Sequence, residues 1–132
     1  MHNPPLILIA DDSPEFQEIV SAKLKASGFW VAIAKDGKEA VERATALHPD
    51  LIIMDINMPN ENGTEAVLDI KRNPETKDSK IVFFTSLTDP WPAIKGKNEK
   101  LAEELGAAQF LNKGEDLDII VKKIKDILGG VQ

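Results

Sequence analysis

The sequence predicts an α/β fold of the doubly wound kind, five βα units building a parallel sheet with helices on both faces. Two observations carry this. Short apolar runs of β type alternate along the chain with stretches whose apolar residues recur every three or four positions. Residues that start and stop helices also fall in the gaps between the two patterns, and alternating units of this sort return each strand in the same direction through right-handed crossovers.

The strand candidates are "LILIA" (6–10), "WVAIA" (30–34), "LIIMD" (51–55), "IVFFT" (81–85) and "AQFLN" (108–112). After the first, Ser13 suits a helix N-cap and Pro14 the position behind it, Phe16, Ile19, Val20 and Leu24 share a face, and Gly28 suits the stop. Asp36 is an N-capping acid for the helix after the second run. Gly106 closes a helical run that includes "EKLAEEL", and Leu117, Ile120, Val121, Ile124 and Leu128 form the stripe of the last helix. Between Thr85 and Lys113, Pro90, Pro92 and Gly96 oppose a helix, so one is expected to begin near Asn98.

Composition narrows the function. A chain of 132 residues, 42% hydrophobic and 29% charged, is expected to form one domain, residues 1–132, with a core over about 5–128. No apolar run approaches the roughly 20 residues of a membrane span, and "MHNPPLILIADD" lacks the marks of a secretory leader, so a cytoplasmic protein is expected. The absence of cysteine removes thiolate metal sites and thiol nucleophiles, and two histidines, His2 and His48, are too few for a histidine cage. A net charge of -6 argues against nucleic acid as a partner. There is no internal repeat, low-complexity segment or evident linker; the start at Met1 favours a chain beginning with this domain, and the tail "GGVQ" fits either a frayed end or a cut from a longer chain.

In open sheets of this class the ligand site lies beyond the carboxyl ends of the strands. The residues there are Asp11 and Asp12, Lys35 and Asp36, Asp55, Thr85, and Lys113. Three acids at one edge repel one another unless a cation neutralises them. Oxygen ligands without nearby histidine or cysteine favour a hard ion, Mg²⁺ first and Mn²⁺ as its substitute. A half-hydrated Mg²⁺ facing a lysine and a hydroxyl suits phosphoryl oxygens, with Asp55 as a carboxylate nucleophile. Taken singly each residue has a plainer reading: "DDSP" as a helix cap, Asp55 as a loop acid, Thr85 as a β-branched strand residue, Lys113 as a surface charge. The order of acid pair, acid, hydroxyl and lysine after successive strands favours the joint site.

The segments "DDS" (11–13), "AKDGKEAVERA" (34–44), "PDLIIMDINMPNENG" (49–63), "FFTS" (83–86) and "GAAQFLNK" (106–113) resemble the receiver domain of two-component response regulators over nearly the whole chain. That resemblance implies a CheY-like, flavodoxin-like sheet in the order 2-1-3-4-5. It implies that Asp55 accepts a phosphoryl group from a histidine kinase or histidine phosphotransfer protein. Asp12, Asp55 and the backbone carbonyl of Asn57 would bind Mg²⁺, with Asp11 acting through water. Ser86 and Lys113 would bind the phosphoryl group, and Thr85 with Phe110 would form the switch. Pro59 and Gly63 would shape the loop that presents Asn57.

The sequence departs from the family's pattern in places. Phe110 stands where tyrosine is common, keeping the ring without its hydroxyl; a core phenylalanine that never moves is the alternative. Gly114 stands where a cis proline is usual, which bears on the reach of Lys113. The segment "SLTDPWPAIKGKNEKLAEELG" is longer than usual; Trp91 within it reads either as a partner anchor or as a lid, and Lys95, Lys97 and Lys100 as a solvated edge. The face built by residues 90–128 is the expected contact for a downstream partner or output domain, and the protein is expected as a monomer or weak dimer. It would be a switch, not an enzyme beyond its own phosphorylation and dephosphorylation. Three rivals are a degenerate receiver working without phosphorylation, a phosphatase of the haloacid dehalogenase kind, and a flavodoxin-type protein. The phosphatase would want a second acid where Asn57 stands, and the flavodoxin a hydroxyl-rich loop where "ADDSPE" stands.

Overall fold

A computed structural model describes residues 2–55, 63–85, 109–112 and 114–129. In chain order the elements are β1 (Leu6–Ala10), α1 (Pro14–Ala26), β2 (Trp30–Ala34), α2 (Gly37–Leu47), β3 (Leu51–Asp55), α3 (Gly63–Arg72), β4 (Lys80–Thr85), β5 (Gln109–Asn112) and α4 (Leu117–Ile127). The five strands form one sheet in the order β2-β1-β3-β4-β5, and every neighbouring pair is parallel. Three strands coincide with the apolar runs in the sequence; β4 begins one residue earlier, at Lys80, and β5 one residue later, at Gln109. The helix expected near Asn98, together with Trp91, Lys95, Lys97, Lys100 and Gly106, falls outside the described residues.

The two-residue period of a strand divides the core. Leu8, Ile52, Met54, Ile81 and Phe83 pack with Ala40 and Ala44 of α2 and with Ala66, Val67 and Ile70 of α3. Their neighbours Ile7, Ile9, Leu51, Ile53, Val82 and Phe84 pack on the opposite face with Val20 and Leu24 of α1 and with Ile120, Val121 and Ile124 of α4. Strands covered on both faces must be apolar at every position, and all five residues of β3 are buried.

Each helix starts where its cap dictates. Ser13 Oγ accepts the Phe16 N–H (3.3 Å) at the head of α1, and Pro14, which has no N–H to satisfy, follows it. Asp36 Oδ1 accepts the Glu39 N–H (2.8 Å) at the head of α2. Gly28, with φ of +97°, carries the chain out of α1 after the C-cap Ser27. At the end of α2 a left-handed conformation is taken by His48 (φ 50°), whose N–H still reaches Ala44 O at 2.9 Å.

One expected core position is wrong. Ile19 is 53% exposed, whereas Val20 and Leu24 are buried and Phe16 partly so. At about 100° per residue the centre of the buried stripe lies at Val20, midway between Phe16 and Leu24, and Ile19 falls roughly 100° away from it. In α4 the expected stripe holds: Ile120, Val121, Ile124 and the following Leu128 are buried, with Leu117 packed at its edge. No helix among the described residues is long and apolar enough to cross a membrane.

Candidate functional site

The site begins with the way β1 and β3 end. The β1–β3 ladder pairs Ala10 with Met54, so the chain reaches Asp11 and Asp55 at the same level of the sheet. In β3 the alternation that turns Leu51 and Ile53 toward α1 also turns Asp55 toward that side. Carboxylate oxygens of Asp11, Asp12 and Asp55 lie within 4.8 Å of one another. Asp11 and Asp55 are buried (1% and 7% exposed) and Asp12 is exposed.

The backbone holds the acids in place. Asp11 Oδ1 accepts the Ser13 N–H at 2.8 Å, a turn that leads directly into the Ser13 cap of α1. The Asp11 N–H continues the sheet by donating to Ala34 O at 3.1 Å. Gln17, on the first turns of α1, donates from Nε2 to both Asp11 O and Ala34 O, the latter at 3.0 Å. Phe16 sits beneath, its ring edge-on to Phe84 with centroids 5.3 Å apart. Nothing in the sequence marks Gln17, because a polar residue at the flank of an amphipathic helix has no distinguishing pattern and its partners lie six and 17 residues away.

The sheet register also places the ends of the other strands. Asp55 pairs with Phe84, and Thr85 is the next residue of β4, paired with Asn112 at the end of β5. The backbone of Thr85 is therefore at the carboxyl edge beside β3, as the topology requires. Phe110 pairs with Phe83 one row inside that edge. Asn57, Pro59, Ser86 and Lys113 lie outside the described residues. Lys35, though at the end of β2, gives its N–H to Glu39 Oε1 (3.1 Å), and Asp36 serves as the cap of α2.

Three acids with only oxygen donors form a set suited to a divalent cation, because repulsion among them is relieved by the charge and no soft ligand competes. The donor chemistry fits such an ion at this edge of the sheet.

Comparison with known proteins agrees. The family model for the response regulator receiver domain matches residues 7–125. Protein PilH of Pseudomonas aeruginosa is 32% identical over 124 residues, covering 94% of this chain and 98% of its own length. A protein-glutamate methylesterase/protein-glutamine glutaminase of Methanosarcina mazei is 40% identical over 126 residues, 90% of this chain, but the match spans only 33% of that relative. Among solved structures, chemotaxis protein CheY4 of Vibrio cholerae superposes with a TM-score of 0.80 at 28% identity, covering 93% of this chain and 98% of its own. The chain belongs to the response regulator receiver family, the phosphoryl-accepting domains of two-component signal transduction.

Proposed function

We propose that Asp55 is the phosphoacceptor and that a Mg²⁺ ion held by Asp12 and Asp55, with Asp11 through water and the Asn57 carbonyl, prepares the site. The observation that carries this reading is the convergence of the three carboxylates from the ends of two adjacent strands. A divalent cation bound there supplies neutralising charge for the carboxylates and for incoming phosphoryl oxygens. A carboxylate oxygen of Asp55 attacks the phosphorus of a phosphohistidine; the O–P bond of an acyl phosphate forms, the N–P bond breaks, and the released imidazole takes up a proton.

The remaining roles follow residue type and place in the chain. Thr85, the last residue of β4, and Ser86, next in the sequence, carry hydroxyls suited to a phosphoryl oxygen, and Lys113 follows β5 in the sequence with a cation. Thr85 and Phe110 would transmit the change toward residues 90–128, where a partner or output domain would bind. Residues 1–132 are read as one receiver unit, with a histidine kinase or phosphotransfer protein as donor, acting as a cytoplasmic monomer or weak dimer. The acids speak against a flavodoxin-type role, since flavin phosphate would meet like charge.

Intact-mass measurement after exposure to acetyl phosphate and Mg²⁺ tests the reading. The expected result is one added phosphoryl group, labile to base, on the wild type and none on Asp55→Ala. An unmodified wild type would leave only the phosphorylation-independent role, and sustained turnover of a generic phosphate ester would point instead to a phosphatase.

A further inference from the structure

The β1–β2 ladder pairs residues up to Ala10 and Ala34, and just beyond that pair the Asp11 N–H donates to Ala34 O. On β2 the Lys35 N–H, one residue beyond, is taken by Glu39 Oε1 in the cap of α2. At this point the Gln17 carboxamide reaches the ends of both strands, with Nε2 donating to Asp11 O and to Ala34 O.

The carbonyl of Asp11 and the N–H of Asp12 belong to one planar peptide unit. A donor that fixes this carbonyl therefore fixes the direction in which the chain enters Asp12. Asp12 is the exposed member of the acidic trio, so side-chain packing contributes little to its aim and the backbone contributes most. We propose that Gln17 is a positioning residue for the cation site: its carboxamide, bridging Asp11 O and Ala34 O, orients the Asp11–Asp12 peptide so that the Asp12 carboxylate meets those of Asp11 and Asp55. This rests on the proposed cation site above and extends it to a residue that touches neither metal nor phosphoryl group.

The test is a Mg²⁺ titration of the unphosphorylated protein, followed by the backbone amide shift of Asp12 and by calorimetry, on wild type, Gln17→Met, Gln17→Glu and Gln17→Lys. Methionine keeps the length without a donor, and glutamate places an acceptor against two carbonyls. Each is expected to weaken Mg²⁺ binding roughly tenfold, at the lower end of what outer-shell partners of metal ligands contribute. Lysine, with an N–H donor at the end of its chain, is expected to recover most of the loss. A merely structural role predicts something else: a lower melting temperature with unchanged Mg²⁺ affinity, or equal losses in the lysine and methionine variants. Either result overturns the proposal, as does a wild type that binds no Mg²⁺. No phosphoryl donor is needed, so a wild type that binds Mg²⁺ but is never phosphorylated would sink the phosphoacceptor reading alone.

Discussion

Asp50 is the residue on which the amino edge of the sheet is built. Its carboxylate accepts the Leu6 N–H at 2.8 Å and the His2 N–H at 3.2 and 3.3 Å. Its own N–H reaches Leu6 O (2.9 Å), and its carbonyl accepts the Lys80 N–H (3.1 Å), so one residue joins the beginnings of β1, β3 and β4. Asp50→Ala leaves two N–H groups without this acceptor and is expected to cost about 1–3 kcal/mol, read as a lower urea midpoint at unchanged slope. Lys71 nearby donates from Nζ to Lys77 O (3.1 Å) and Ser79 O (3.0 Å), and burial lowers its pKa from 10.5 while the Asp78 charge works the other way. Between the lowered folded value and 10.5 the unfolded chain binds the extra proton, so this group's contribution to stability rises with pH there. The stability difference between wild type and Lys71→Met should accordingly shift in favour of wild type as pH climbs toward 10.5. Neither Asp50 nor Gln17 was legible in the sequence, because each acts on backbone atoms of other elements, up to 48 residues away for Asp50, and such pairings leave no periodic trace. Asp55 was legible because a carboxylate interrupts an otherwise apolar run.

The helices show how far periodicity reaches. In α4 the sequence stripe and the buried face coincide, since its members recur at three and four residues on both sides of a common centre. In α1 the same rule admitted Ile19, which shares the spacing but sits on the flank. Ile124→Ala, emptying a position that is fully buried, is expected to cost about 2–5 kcal/mol, whereas Ile19→Ala should stay within about 0.5 kcal/mol. Chemical denaturation of the pair measures both, and similar losses would contradict the burial of the two faces. The strands were legible almost to the residue because turns and caps bound them on both sides: Ser13, Gly28 and Asp36 punctuate the first two units.

Among the described residues, three like charges meet at the carboxyl edge of the sheet, where carboxylate oxygens of Asp11, Asp12 and Asp55 lie within 4.8 Å of one another. Neutralising one member without a metal should therefore stabilise the protein. Asp12→Asn is expected to raise the melting temperature in the presence of a chelator and to abolish its rise with added Mg²⁺. In the wild type, Mg²⁺ at about 100 times its dissociation constant is expected to add roughly 2.7 kcal/mol, the linkage value for one site. Differential scanning calorimetry with and without Mg²⁺ reads both effects. The parallel sheet and the acidic cluster were accessible from alternation and topology, because a doubly wound sheet leaves few places for a ligand, whereas the strand order followed only from the family resemblance. The opposite edge has its own consequence. Leu6 opens β1 there, and Lys80, which opens β4, reaches Ile127 O at the end of α4 at 2.7 Å. The entry to the first strand and the exit from the last helix thus share one end of the protein, about 17 Å of strand from the acids. Anchored to a sensor chip or a resin bead through either of them, the protein would keep its acidic cluster facing the liquid, open to a soluble phosphodonor.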